Sequence, residues 1–439
     1  MAAHQPPKVL IVGAGLGGLL LGASLSLNAN ILPVFEQLGL LGEVEKISKP
    51  VSTLDLYHES LKPIGSINIE GFKTQAGYDS LILHRPALYE ILLKHVPSEK
   101  ISLNKKVVAV EQTNEGVTIR TSDCEAYHGH ILVGADGAYS TVRRLFFKEM
   151  IEKNELPASD IEAPKVGHIC LVGTTSPLDP EQYPELKDGR CYFRTIIGHA
   201  KAHTWVTTTL PDNRISFSIK EQLDEKKAKE AAFRNTEWTG ESNAMMIQEV
   251  SGFPVLHGRP GDDRVLGDLF AATPTEMISK VFLEEKIYET WYHDRSVLIG
   301  DACHKMQPSA GQGAINAMED AVVLANCLYD ICEGKEAVTS ERITEAFRDY
   351  HEQRYHHAKF QVENSGGMAK ILNGQTWGDW LLRTVLYNMP KWIFSHNYLK
   401  QAGYRPQIMF MPTVSNPPDL VVVPQKPSKR YLAEQAERN

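Results

Sequence analysis

Three glycine-rich turns carry the chemistry that this chain can do. Gly13, Gly15 and Gly18 form a G-x-G-x-x-G turn directly after the apolar run Val9–Val12, with a helix-like run behind it. At such a turn Gly13 permits the tight bend, Gly15 lets backbone approach a pyrophosphate, and Gly18 lets helix and strand pack closely. The pyrophosphate would lie at the positive end of the helix. A second turn, Gly134-Ala135-Asp136-Gly137, follows the buried run Ile131–Val133. A third, Gly300-Asp301-Ala302, follows Val297–Ile299 and leads into Pro308-Ser309-Ala310-Gly311-Gln312-Gly313-Ala314. An aspartate at a strand end can accept hydrogen bonds from sugar hydroxyls. The small residues after it let backbone amides reach a flat ring at a helix N-terminus. Taken singly, Asp136 reads equally well as a turn residue and Asp301 as a helix cap.

Taken together and in this order, the three turns resemble the FAD-dependent aromatic hydroxylases, the para-hydroxybenzoate hydroxylase-like family. The likeness runs from about Lys8 to Pro412. It is strongest to the fungal branch of indole-diterpene and meroterpenoid epoxidases, through Leu25–Asn30, Leu83–Pro86, Lys280–Phe282, Glu289–Trp291 and Gly300–Asp320. The resemblance implies that Gly13, Gly15, Gly18 and Gly22 belong to the cofactor site, the first three facing the FAD diphosphate. It implies that Arg85 contacts FAD from the start of its helix, and that Asp136 and Gly137 couple FAD and NAD(P)H binding. Asp301 would hold the ribitol and pyrophosphate region, with Gly311, Gly313 and Ala314 beside the isoalloxazine. The implied activity is an NADPH- or NADH-dependent monooxygenase that adds one oxygen atom of O2 to a hydrophobic molecule via a flavin hydroperoxide, as in secondary metabolism. Because the cofactor does the hard chemistry, no acid–base pair is nominated. Arg190, Tyr192 and Arg194 could face the flavin from its far side but read more simply as ordinary sheet residues, and His304 as a packing or hydrogen-bonding residue near the cofactor before a proton-transfer one.

The elements that must position these turns are a parallel α/β unit and a second sheet. Leu81–His84 reads as a strand entering a helix at Arg85-Pro86, and Val107–Gln112 with Gly116–Thr121 as a hairpin. Gly313–Tyr329 and Glu341–Gln361 read as helices, and Glu221–Arg234 as a charged helical stretch. The expected organisation is α/β: a discontinuous glutathione-reductase-like FAD domain (1–160 and 283–370), an interleaved β-sheet substrate domain (161–282), and a C-terminal helical region with a flexible proline-rich tail (371–439). Trp377–Phe394 reads as an amphipathic helix broken at Pro390, packed on the body or, alternatively, touching a membrane surface.

One piece departs from the pattern. A dinucleotide fold wants a second strand ending in an acidic residue about 20 positions after the glycines. Glu36 lies at that distance, but Pro33 would sit mid-strand. Ile31, Val34, Phe35 and Leu38 instead share one helical face, with Asn28 or Asn30 available as cap and Gly39 at the end. Gly22–Asn28 resembles the loop that normally follows the second strand, so that strand and its acidic residue are expected to be missing after Leu21. A lost exon or a misassigned gene structure would produce this junction; transcripts from an intact locus that all encode it would refute that origin. An FAD-free binding relative is therefore a competing expectation, as is a flavin halogenase or isoprenoid-chain reductase.

Composition bounds the rest. A formal charge of −8 over 439 residues excludes a general nucleic-acid binder. The six cysteines show no C-x-x-C pair and suggest reduced thiols in a cytoplasmic setting. No run approaches the ~20 apolar residues of a membrane helix, so membrane contact would be peripheral.

Overall fold

The strands that position the three turns begin with a short parallel sheet. The computed structural model describes residues 7–13, 24–198, 203–223, 240–259, 261–332, 338–374 and 376–438. In chain order the strands are β1 (Val9–Val12), β2 (Ser24–Leu27), β3 (Ser48–His58), β4 (Pro63–Asn68), β5 (Leu81–His84) and β6 (Val107–Gln112). Next come β7 (Val117–Thr121), β8 (Ala126–Gly129), β9 (Ile131–Gly134), β10 (Lys165–Thr174), β11 (Cys191–Ile197) and β12 (His203–Leu210). The last are β13 (Arg214–Gln222), β14 (Ser279–Ile287), β15 (Tyr292–His293), β16 (Ser296–Leu298) and β17 (His304–Lys305). The helices that matter below are α1 (Leu32–Gln37), α2 (Arg85–Lys94), α3 (Thr141–Glu152), α4 (Gly240–Val250) and α5 (Leu266–Ala271). Behind them come α6 (Gly313–Cys332), α7 (Ser340–Asn373), α8 (Trp377–Tyr387) and α9 (Lys391–Ala402).

A four-stranded sheet of order β1-β9-β16-β15 brings the ends of β1, β9 and β16 side by side, and with them the three turns. Val9 to Val12 pair in parallel with Ile131 to Gly134, and β9 pairs in parallel with β16. Ile131, Leu132, Val297 and Leu298 are fully buried, as a strand covered on both faces requires. At Gly13, with φ at 103°, an added Cβ would lie 2.3 Å from the Ala135 carbonyl oxygen, so only glycine lets these two turns touch.

Among the described residues this sheet ends at β1, which pairs with β9 alone, and Ile11 is 67% exposed. Residues 32–37 form α1, with Pro33 in its first turn and Ile31, Leu32, Val34 and Phe35 buried. The proline removes no ladder bond there, which is why helix prevails over strand. The cap differs from expectation: Asn28 supplies its backbone carbonyl to Leu32 N rather than its side chain. Because Ile11 is on an open edge, Ile11→Lys is expected to change stability by no more than about 0.5 kcal/mol, as at a surface site. Thermal or denaturant unfolding measures this, and a loss of several kcal/mol would mean that β1 is covered after all.

The second sheet runs β17-β14-β10-β13-β12-β11-β3-β5-β2, with β4 added on β3. It takes β2, β3, β4 and β5 from the N-terminal part of the chain, outside the 161–282 segment. Side chains alternate along it. Leu171, Ile196, Trp205, Ile215 and Ile219 form a buried core with Met246 and Val250 of α4 and Leu266 and Leu269 of α5. The opposite face, with Cys170, Val172, Phe193, Thr195, Val206, Thr208, Ser218 and Lys220, lines a cavity. The expected hairpin is present, extended by β8 to a third strand.

Two expectations change in detail, and the break at Pro390 holds. The charged stretch Glu221–Arg234 begins inside β13, which continues to Gln222, and residues 224–239 lie outside the described ones. The amphipathic segment is two helices, α8 and α9, because Pro390 cannot continue the first and caps the second. The proline-rich tail is laid against the body instead of loose. Val414 N donates to Gln407 Oε1 at 2.7 Å, Gln407 N donates to Gln425 Oε1 at 2.9 Å, and Leu420 is buried. Two glutamine side chains thus satisfy backbone groups that a strandless segment would otherwise leave to water.

Candidate active site

The Gly300-Asp301 turn is held from behind by a buried ion cluster. Gly300, at φ 61°, opens a short 3-10 turn as β16 ends. Its N–H donates to Asp320 Oδ2 on α6 at 2.8 Å. The same carboxylate pairs with His304 Nε2 at 2.6 Å and accepts from Arg354 Nε of α7 at 2.7 Å. Arg354 also donates to Asn316 Oδ1 (3.0 Å) and Tyr404 OH (2.8 Å), and its Nη1 lies 3.0 Å from Glu319 Oε2. Burial alone would raise the Asp320 pKa, but His304 and Arg354 outweigh it and bring the carboxyl down to about 2. His304 is therefore a buried partner of Asp320, away from the cavity wall.

Glu319 has the opposite balance. Burial pushes its carboxyl up to about 8, against the pull of Arg354. A carboxyl raised in the folded state makes stability fall as pH climbs from its unfolded value toward 8, because only the unfolded chain ionises freely. Glu319→Gln is expected to raise Tm more at pH 8 than at pH 5, read by thermal melts of both proteins. Equal shifts at the two pH values would contradict the assignment.

The Asp136 turn is tied to the same scaffold. Asp136 accepts hydrogen bonds from Thr141 N (2.7 Å), Val142 N (3.1 Å) and the Ser140 hydroxyl, so it caps α3. Arg143, on the first turn of α3, donates to Ala138 O and Ala302 O at 2.7 Å each, bridging the second and third turns. Gly137 sits beside this cap with φ at 79°.

Two other charged groups have no such duty. Arg85, at the start of α2, and Asp301 make no hydrogen bond to another described group, yet they lie close enough for each to shift the other. Burial lowers the Arg85 pKa, with Asp301 opposing; burial raises that of Asp301, with Lys305, His304 and Arg85 opposing. A half-buried cation and anion left unpaired by the protein fit a ligand carrying both phosphate and hydroxyl groups. Gly311 takes a left-handed φ of 65° at the end of the Pro308–Ala310 turn, just ahead of Gly313 and Ala314 at the start of α6. Arg85, Ser309, Gly311 and Gln312 all open on the cavity, whose volume is about 860 Å³. FAD fits this set: Arg85 and a glycine-relieved helix start border the cavity, and Asp301 lies within electrostatic reach of Arg85. The glycines at positions 15, 18 and 22 lie outside the described residues.

Several other sequence candidates are placed elsewhere. Glu36, at the spacing of a ribose-holding acid, accepts a hydrogen bond from Tyr78 OH on the far side of α1's buried face. Arg190 pairs with Glu70, Tyr192 donates to Asp188, and Arg194 donates to Leu256 O, all off the cavity. The sequence reading did not find Asp320, Arg354 or Lys220. Asp320 closes the Gly300–Asp320 stretch, but nothing in its spacing shows that it is buried, and Arg354 and Lys220 meet their partners 34 and 89 residues away.

A sequence profile described as an FAD binding domain matches residues 263–365. The FAD-dependent monooxygenase ptmM of Penicillium ochrochloron is 29% identical over 400 residues, covering 90% of this chain and 87% of that protein. The FAD-dependent monooxygenase paxM of Penicillium paxilli is 29% identical, over 83% of this chain and 78% of that one. Among solved structures, Klebsiella pneumoniae HpxO with FAD and uric acid superposes with a TM-score of 0.69 at 19% identity, covering 91% of this chain and 97% of that one. FqzB gives a TM-score of 0.64 at 17% identity, over 91% and 95%.

Proposed function

We infer, for a chain that carries an FAD-binding domain and is homologous to fungal FAD-dependent monooxygenases, that it oxygenates a hydrophobic small molecule held in the sheet-lined cavity. The observation that carries this reading is one space bordered by Arg85 and Gly311 on the cofactor side and by Phe193, Val206 and Val281 on the other. FAD, held by Arg85, Asp301 and the glycine turns, would supply the redox chemistry, namely reduction by NADPH or NADH and activation of O2 for transfer of one oxygen atom.

The chain's own residues bind, orient and exclude water. Arg85 would face the cofactor phosphates and Asp301 its ribitol hydroxyls, while Gly13 lets the first turn approach. Asp320 holds the Gly300 amide, and so fixes the direction in which Asp301 points. The apolar sheet face and Phe360, Met368 and Leu372 of α7 keep the reacting end dry. Incubation with NADPH, heavy-isotope dioxygen and prenylated aromatic compounds tests the reading. One labelled oxygen in a product supports it; NADPH oxidation that only releases hydrogen peroxide across the panel counts against it.

The same helices that close the cavity also suggest peripheral membrane contact. Leu386, Tyr387, Phe394 and Tyr398 face inward, while Trp377 (78% exposed), Trp380, Leu381, Leu382, Val385 and Trp392 (73%) face solvent. No helix among the described residues is long and apolar enough to cross a membrane. Tryptophans on an amphipathic surface suit the headgroup layer. Co-sedimentation with phosphatidylcholine vesicles is expected, and Trp377→Ala with Trp392→Ala should reduce the bound fraction several-fold. Binding that is absent, or unchanged in the double variant, removes this part of the proposal.

A further inference from the structure

Lys220 is a cation that the protein buries without giving it a counter-charge. It lies on β13, opposite Cys170 of β10 and Thr204 of β12, and is 7% exposed. Its Nζ reaches Ser309 Oγ at 3.1 Å, in the turn just before Gly311. Among the described residues no carboxylate pairs with it. Burial lowers its pKa, with only the Cys170 thiol opposing. The neighbouring His168 is itself brought down to about 4, by burial and then by Lys220, so it stands neutral and gives Lys220 no counter-charge.

The surroundings are otherwise those of an oil-lined pocket with hydroxyls. Ser216, Ser218, Thr195 and Thr208 share the cavity face with Phe193, Val206 and Leu283. A buried ammonium costs free energy unless an opposite charge or several acceptors meet it. One hydroxyl does not suffice. A ligand in the cavity can supply further acceptors, since the amine stands at the junction of the sheet face and the turn before Gly311.

We propose that Lys220 anchors an anionic oxygen, a carboxylate or enolate, on an otherwise lipophilic substrate, and so selects which end of it lies against the 308–312 turn. This deepens the monooxygenase reading and rests on it for taking the cavity as the substrate site. The Ser309 hydroxyl orients the ammonium, leaving its other N–H groups for the ligand. Lys220 acts as a specificity residue, with no proton transfer assigned to it.

The test compares two probes that differ in charge, pyrenebutyric acid and pyrenebutanol, titrated by fluorescence into the full chain with FAD in excess. The acid is expected to bind roughly tenfold more tightly, about 1.4 kcal/mol. Lys220→Met should bring the acid to the alcohol's affinity while leaving the alcohol unchanged, and Lys220→Arg should keep the preference. Should Lys220→Met not fold, Lys220→Gln takes its place, since it retains a polar end for Ser309. Equal binding of the two probes by the unmodified protein overturns the proposal, as does a preference that survives loss of the lysine. A parallel FAD titration separates the two readings. Flavin binding without acid preference removes the anchor alone; acid preference without flavin binding removes the monooxygenase reading.

Discussion

Asp320→Ala is expected to destabilise the protein by about 3–5 kcal/mol, the loss seen when one member of a buried ion pair is removed. The change strands the Arg354 guanidinium, the Gly300 N–H and His304 Nε2 at once, all in a region from which water is excluded. Denaturant unfolding at pH 7 measures it. Acid should act in the same direction. A carboxyl held at about 2 contributes stability above its ordinary unfolded value, and that contribution is lost as pH falls through about 2. A loss below about 1 kcal/mol would mean that the cluster is hydrated and does not hold the turn.

A segment inserted after Leu21, comprising the rest of the first helix, a second parallel strand and a terminal acidic residue, is expected to tighten FAD binding by roughly tenfold to a hundredfold. The estimate follows from hydrogen bonds to a charged group, worth about 1.5–3 kcal/mol. Among the described residues β1 has no neighbour on the side away from β9 and Ile11 is exposed, which is where such a strand would dock. Covering that edge should also raise Tm. Flavin fluorescence quenching gives the affinity; an insert that leaves both quantities unchanged would show that β1 needs no neighbour.

Much of this was legible from local signals. Pro33 and the spacing of Ile31, Val34, Phe35 and Leu38 were enough to read α1 as a helix, and so to expect the sheet to lack a strand. The three turns fell where three apolar runs ended, two of them buried, and the sheet sets those ends side by side. The break of the C-terminal amphipathic segment was legible at Pro390, which cannot continue the first helix. The tail looked loose because proline-rich composition says nothing about the Gln407 and Gln425 side chains that satisfy its backbone locally. Least legible was the charged interior. Asp320 and Arg354 lie on different helices, and Lys220 in sequence is one more charged residue in an alternating strand. Their meaning depends on burial and on partners that no periodicity encodes.

The central claim is that Arg85 and Asp301 stand unpaired because FAD is their partner. The direct test is to titrate FAD into the purified, unmodified chain and follow the visible flavin band, with Asp301→Ala alongside. The account predicts a saturable perturbation of that band, weakened at least tenfold in the variant, as loss of a charged hydrogen bond implies. A folded chain that leaves the flavin spectrum untouched, or one whose binding ignores Asp301, would contradict it.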